Sequence, residues 1–450
     1  MKLWEKGQKT NTDMMEFTAG RDRELDLQIA AVDVIGSMAH VIMLQEVGLI
    51  AEDDKLRILK TLLSIYGTVK AGKFFIEDGV EDVHSQVENL LTRELGDAGK
   101  RVHTARSRND QVITDLKLYY RENLTDIVSL VNGLVNTLIE KSAETKDDLI
   151  PGYTHFQVAM PSSLGMWFGS YAEALTEDLM MVRGAFSYTN QNPLGSAAGY
   201  GSSFPVDRDL TSRLLEFDDL HVNSVNAQLS RGKTEKFLMS ALSSVAYTLS
   251  KMAMDLVLYM SQNFDFIRLS EDLTTGSSIM PHKKNPDVLE LIRARCNRVQ
   301  SKEFEVMSVI NNLPSGYHRD FQLLKEICFP AVSELKECLQ MITFIIPNLI
   351  PNKDVLSKEI YQYVGSVDAI NERVKEGLPF RDAYVQVASE IDKGRFRPGS
   401  QVKTTHTGSI GNLSNDRIVR KLERIIPDFQ IEKYATFQER FVEDLKKKLT

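Results

Sequence analysis

The stretch QVITDLKLYYRENLTDIVSLVNGLVNTLIEKSAETK, residues 111–146, decides the fold class. Its apolar residues Leu116, Tyr120, Leu124, Ile127, Val131, Leu134 and Leu138 recur at steps of four or three, the period of an amphipathic α-helix. The pattern runs well beyond the usual helix length. A second such stretch covers about 162–187 and a third 234–262, through Phe237, Ala241, Val245, Leu249, Met252, Leu256 and Tyr259. A fourth follows Pro286, through Leu289, Ile292, Cys296, Val299, Val306 and Ile310. Helices this long need partners to cover their apolar stripes, so the expected architecture is an all-α bundle. No β–α–β alternation is visible, which argues against a doubly wound sheet. The first helix also carries apolar residues off its main stripe, among them Leu118, Tyr119 and Val128. Either its core face within one chain is wide, or it is buried on two sides, one of them against another subunit.

Around these helices the chain is ordinary. It has 450 residues, 42% hydrophobic and 26% charged, enough for two to four domains with cores of their own. Its net charge of −8 gives no reason to expect nucleic acid or an anionic membrane as partner, so any positive field for an anionic substrate must be local. The three cysteines, Cys296, Cys328 and Cys338, form no CxxC pair; they suit a reducing compartment and read as small buried apolar residues. The N-terminal MKLWEKGQKTNTDMMEF lacks the apolar core of a signal peptide, and the greasiest run, MITFIIPNLIP (341–351), is short and broken by Pro347. The expected location is the cytoplasm. The segments between the long helices, 103–110, 151–165, 192–209 and 270–286, are rich in Gly, Ser, Pro and Asn, and the last hundred residues look like a separate small unit.

The segment TGSSIMPHKKNPDVLELIRAR (275–295) carries the most chemistry. Gly276, Ser277 and Ser278 make a turn, Lys283 and Lys284 bring positive charge, and Asn285-Pro286 reads as a helix start with Asn as N-cap and Pro at the first helical position. Glu290 then sits one turn into the helix. A serine loop and a lysine are thus delivered to a helix N-terminus, which suits an anion. Taken alone, GSS is as readily an ordinary loop. In HTARSRNDQV (103–112), Arg106 and Arg108 precede Asn109 at the start of the first long helix, an arrangement fit for a carboxylate or for mere capping. In PGYTHFQVAMPSS (151–163), His155 follows Thr154; a single loop histidine is more often structural than catalytic. The GxG within NPLGSAAGYGSSFPVDRD (192–209) follows no strand, so nucleotide binding is discounted.

Taken whole, these strings are far more specific. The first resembles the signature loop of the fumarase/aspartase superfamily, GSSxMPxKxNPxxxE, and meets every fixed position. HTARSRNDQV resembles the stretch that marks argininosuccinate lyases within that superfamily, whereas aspartases and adenylosuccinate lyases differ there. PGYTHFQVAMP, the 192–209 segment, EDVHSQVENLLTRELGDAGK (81–100) and LPSGYHRDFQLLKE (313–326) are similar to further family segments. The resemblance covers about residues 30–390. It implies a three-part fold, with a helical domain over 1–106, a central long-helix bundle over 107–351 and a small helical domain over 352–450. It also implies a homotetramer with a helical core, whose active sites each draw on three subunits, so that Asn109, His155 and Ser277 come from different chains.

The implied reaction is β-elimination of argininosuccinate to arginine and fumarate, a step of arginine biosynthesis, with no metal or organic cofactor. By the resemblance Ser277 is the base, its alkoxide stabilised by N–H groups or Lys283. Lys283 and Asn285 hold the substrate carboxylate, and His155, paired with Glu290, is the candidate acid. Ser107, Arg108, Asn109, Thr154, Tyr317, Gln322 and Lys325 bind the remaining polar groups. Two segments depart from the family. AGRDRELD (19–26) places Asp22 where a substrate-contacting serine is common, and NAQLSRGK (226–233) keeps Arg231 but not its neighbours. The departures raise the alternative of a substrate acylated on its α-amino group. Two further alternatives are another superfamily substrate and a non-catalytic, crystallin-like relative.

Overall fold

Ser107 starts the longest regular element of the chain. Its hydroxyl accepts from the Asn109 N–H at 3.2 Å, and Asp110 accepts from the Ser107 N–H at 2.9 Å, a reciprocal capping box that opens a helix of 37 residues. The computed structural model describes residues 12–397 and 404–449; the expectation for residues 1–11 falls outside them. In chain order the N-terminal part contributes α1 (Thr12–Ala19), α2 (Asp22–Leu25), α3 (Ala30–Glu46), α4 (Glu52–Lys70), α5 (Val83–Leu95) and α6 (Asp97–Lys100). Five long helices follow with a short one among them: α7 (Arg108–Glu144), α8 (Leu164–Thr189), α9 (Arg208–Leu214), α10 (Ser224–Met260), α11 (Asp287–Ile310) and α12 (Leu323–Ile345). The β-structure is confined to short two-stranded pieces. The longest of these, antiparallel β1 (Leu149–Thr154) and β2 (Gln157–Ser163), joins α7 to α8. The structure is therefore mainly helical, as the period of the sequence requires.

α7 lies at the centre of the bundle, against α8, α12, α3 and α10. Leu118, Tyr119 and Val128 are all buried within the single chain, so the wide-core reading holds for this helix. Exposed apolar side chains sit elsewhere, on α8 (Met180, Met181), α10 (Tyr247, Met254) and α11 (Leu291, Phe304). α7 also buries charge. The Arg121 guanidinium is fully enclosed, faces the rings of Phe217, Tyr434 and Phe437 at 4.5–5.0 Å, and donates to Asn190 and to the Leu215 and Glu216 carbonyls at 3.0 Å. Those contacts meet most of the demand of a buried cation.

α10 is two helical segments in sequence. Arg231 is extended (ψ 136°) and Gly232 is left-handed (φ 79°), and the Gly232 N–H donates to Glu235 at 2.7 Å, capping the second segment. A Cβ at Gly232 would lie 3.0 Å from Ile310 and 3.1 Å from Phe321, so the break is also a close approach of backbone to neighbouring side chains.

The C-terminal hundred residues pack in two ways. α13 (Ser366–Lys375) and α14 (Phe380–Asp392) keep a small core of Ile370, Ala383, Val387 and Phe396. In contrast α15 (Asn415–Ile425), α16 (Ile431–Ala435) and α17 (Phe437–Leu449) bury Leu422, Tyr434 and Phe437 in the main core, with Phe429 from the turn between α15 and α16.

The turn from α7 into the β1–β2 hairpin and back into α8 is tight. Gly165 begins α8 so close to the end of α7 that an added Cβ would meet the Ser142 carbonyl at 2.5 Å and the Lys146 Cα at 2.6 Å. Both are backbone atoms and cannot swing aside. Gly165→Ala is expected to lower stability by about 2 kcal/mol or more, seen as a reduced denaturation midpoint; an unchanged midpoint would show that the two helix ends are free to part.

Candidate functional site

The expected site residues fall at opposite ends of the bundle. At one end, Asp110 on α7 accepts from the Gly195 and Ala197 N–H groups at 2.9 and 2.8 Å, and Gln228 on α10 reaches the same loop. Arg231 donates to the Phe321 carbonyl at 2.7 Å, which brings the start of α12 alongside. This end gathers Ser107, Arg108, Asn109, Tyr317, Gln322 and Lys325. At the other end, α7 hands over to the hairpin and α8, and α11 begins. His155 stands at the hairpin tip there, and the serine loop precedes α11.

Arg108, Asn109 and Tyr317 share a cleft of about 900 Å³, with Arg319, Glu81, Asp82, Ser85 and Glu88 also in its walls. The Arg108 guanidinium is aimed by its neighbours. It donates to Gln111 at 2.8 Å and to Ser85 at 3.4 Å, and lies 3.4 Å from Glu88 and 3.8 Å from Asp82. Gln111 in turn donates to the buried Asp33 at 2.6 Å, which also meets His84 at 2.9 Å. Burial works upward on the Asp82 carboxyl, but Arg108 and His84 outweigh it and hold it well below the usual range. Ser85, Gln111 and Arg319 were not singled out by sequence; only their adjacency to motif residues could have pointed to them. Arg106, grouped with Arg108 as a carboxylate binder, is instead buried and donates to Ser37 at 3.0 Å.

Gln322 and Lys325 are engaged by the chain itself. The Gln322 amide donates to the Thr18 and Ala19 carbonyls at 2.8 Å, at the open C-terminal end of α1. Lys325 is buried, and its ammonium lies 2.5 Å from Asp26 and 2.6 Å from Asp22. Burial pulls the Lys325 pKa down, but Asp26 and Asp22 outweigh it and the net shift is up. Burial pushes the Asp22 carboxyl up to about 6 against the pull of Lys325, with Asp26 pushing the same way.

At the far end, Thr154 pairs with Gln157 across a two-residue turn. The turn residues His155 and Phe156 have φ of 53° and 57°, the left-handed pair that a two-residue hairpin of this hand demands. Neither is the Gly or Asn usually chosen for it, so the tip is strained and His155 stands exposed. Among the described residues His155 has no side-chain partner, and its expected pairing with Glu290 is not made within the chain. The hairpin is braced by Tyr153, whose ring packs on Phe264 at 5.2 Å.

The Ser277 hydroxyl accepts from the Met280 N–H at 3.2 Å and lies 3.4 Å from the Ile279 N–H. Both amides come from the serine loop itself, closed at its base by the Thr275–Asn285 bridge. That bridge corrects the expected helix start. Asn285 is held in the loop, its N–H donating to the Thr275 carbonyl at 2.8 Å; Pro286 is the N-cap, its carbonyl accepting from the Leu289 and Glu290 N–H groups, and α11 begins at Asp287. Lys283 is exposed beside the loop, while Lys284 pairs with Glu271 at 2.8 Å.

The two ends cannot meet within one chain. At 1.5 Å per residue the 24 residues of α11 span about 36 Å, and the serine loop and Tyr317 lie beyond its two ends. The 37 residues of α7 likewise put about 55 Å between Asn109 and the hairpin.

The family described as Lyase matches residues 5–301. Argininosuccinate lyase of Phocaeicola vulgatus is 52% identical over 428 residues, covering 95% of this chain and 96% of the relative. That of Parabacteroides distasonis is 50% identical over 441 residues, covering 98% and 99%, and that of Thermotoga neapolitana 38% over 395 residues, covering 87% and 98%. Among solved structures, EDDS lyase in complex with formate matches at a TM-score of 0.75 and 20% identity, covering 98% of this chain and 95% of that one. Class II fumarase from Schistosoma mansoni matches at 0.71 and 16%, covering 94% of each. At such identities the two structures speak for the fold alone.

Proposed function

The chain belongs to the argininosuccinate lyase family, and on that premise we propose that it releases fumarate from argininosuccinate by a β-elimination with Ser277 as the base. Such an enzyme is a carbon–nitrogen lyase serving arginine biosynthesis, and its substrate is a small molecule. The alkoxide of Ser277 removes a proton from the succinyl CH₂ carbon. The electron pair moves onto the adjacent carboxylate as an aci-dianion and returns to form the double bond as the C–N bond breaks. The guanidino nitrogen leaves with a proton, as arginine.

The observation that carries the reading is the pair of backbone N–H groups converging on Ser277. Fixed donors aimed at an oxygen favour its anionic form and need no reorganisation during reaction. Lys283 and Asn285 would receive the carboxylate on which charge accumulates, and His155 would deliver the leaving-group proton, oriented by Glu290 once another chain brings them together. Thr154, Ser107, Arg108, Asn109 and Tyr317 would hold the remaining polar groups, with Gln322 and Lys325 supporting the substrate's amino-acid end.

The separation of the two ends supports a site shared between subunits of a homotetramer. No amino-acid-sized substrate spans the length of α11. Antiparallel pairing of two copies along their long helices would lay the serine loop of one over the Asn109 end of the other, and would cover the exposed apolar residues of α8, α10 and α11. Among the described residues no single helix is long and apolar enough to cross a membrane, and we place the enzyme in the cytoplasm. The direct test offers argininosuccinate, aspartate and adenylosuccinate separately and follows fumarate by its ultraviolet absorbance. Turnover of argininosuccinate alone is expected; release from another substrate at a comparable rate would overturn the assignment.

A further inference from the structure

Around the N-terminal end of α12, two carboxylates compete for one ammonium. Asp26 has the stronger claim: it is completely buried, lies 2.5 Å from Lys325 through one oxygen and accepts from the Val83 N–H at 3.3 Å through the other. Asp22 keeps 11% of its side chain exposed and, among the described residues, pairs directly with Lys325 alone, while Arg319, already paired with Glu81, acts on it only at longer range. The pair thus carries one negative charge more than its buried cation balances.

This surplus sits at the margin of the cleft. The next residue, Arg23, donates to the carbonyl of the cleft-wall residue Val80 at 2.9 Å. Arg319, also in the wall, contacts the Thr18 carbonyl and Glu81 at 2.6 Å each. The carboxylates that line the cleft already face cations: Glu81 faces Arg319, Glu77 Arg93, Asp78 Arg23, Asp82 Arg108, and Glu88 both His103 and Arg108. Asp22 is therefore the carboxylate there with charge left to compensate, and a buried anion in that condition favours a cationic group of the ligand.

We propose that Asp22 is a specificity-determining residue that receives the α-ammonium of the substrate's arginine half, making the enzyme selective for argininosuccinate with a free α-amino group. This rests on the proposed reaction. An acyl group would remove the matching positive charge, add bulk beside Gln322, and leave Asp22 buried without compensation. The carboxylate at this position, which from sequence alone left an acylated substrate open, thus argues for the free amine.

The test is kcat/KM for argininosuccinate and for its N-acetyl derivative, in wild type and in Asp22→Asn and Asp22→Ser. Because the ratio of the two values is taken in one preparation, it does not depend on how much of a variant folds. Wild type is expected to favour the free amine by about a hundredfold or more, and both substitutions are expected to shrink that preference at least about tenfold, chiefly through a higher KM for the free substrate. An unchanged ratio in both variants, or a wild type that prefers the acetylated compound, would overturn the role of Asp22. Failure of the wild type on both substrates would instead count against the proposed reaction.

Discussion

Ser277→Ala should lose about three orders of magnitude in kcat for fumarate release while leaving KM and thermal stability close to wild type. General-base catalysis contributes roughly 10²–10⁴-fold, and the proton abstracted here is so weakly acidic that loss of the base should cost most of that factor. The Ile279 and Met280 amides are donors only and cannot take the proton. Stability should be spared because Ser277 sits on a loop where, among the described residues, its hydroxyl is bonded only to that loop's own N–H groups. The alanine therefore removes the reacting oxygen and leaves the cradle. A variant within tenfold of wild type would show that these amides serve the turn rather than catalysis, and another base would have to be sought.

A second large effect concerns assembly. Ser277→Ala and Asn109→Leu chains, each nearly inactive alone, should regain activity when unfolded and refolded together. If a site takes its serine from one chain and its asparagine from another, an equal mixture leaves both intact in about one site in four, so recovery should approach a quarter of wild-type activity. The basis is the reach of about 36 Å along α11 between the two groups. Hybrids shown to form by mass, yet without recovered turnover, would place both groups on one chain and refute the shared site.

Much of the fold was legible because helical period survives in long amphipathic stretches. The four stretches at 111–146, 162–187, 234–262 and after Pro286 correspond closely to α7, α8, the second segment of α10, and α11. The break in α10 was not expected, since Gly232 alone does not announce a left-handed residue until Ile310 and Phe321 are seen against it. The start of α11 differs by one position from the reading, since Asn285 belongs to the backbone bridge with Thr275 that closes the serine loop. The strained turn at His155 was likewise invisible, having neither Gly nor Asn to mark it. In the site, the family strings pointed to the residues but not to their present partners. Nothing local in DFQLLKE shows that Gln322 and Lys325 are held by residues three hundred positions earlier, or that Arg106 faces inward while Arg108 lines the cleft. Such assignments depend on tertiary pairing, which a short motif does not encode.

The enclosure of Arg121 bears on how the molecule is made. Its guanidinium emerges from the ribosome long before Tyr434 and Phe437, the rings that finish its housing. Gln438, which bridges Tyr66 and Glu122, arrives later still. Until α16 and α17 are synthesised, the middle of α7 carries an incompletely housed cation, and the N-terminal helices lack the bridge that Gln438 supplies. Native packing around α7 is thus postponed until α16 and α17 have been made, and a chain cut short before them would be a client for chaperones rather than a smaller enzyme.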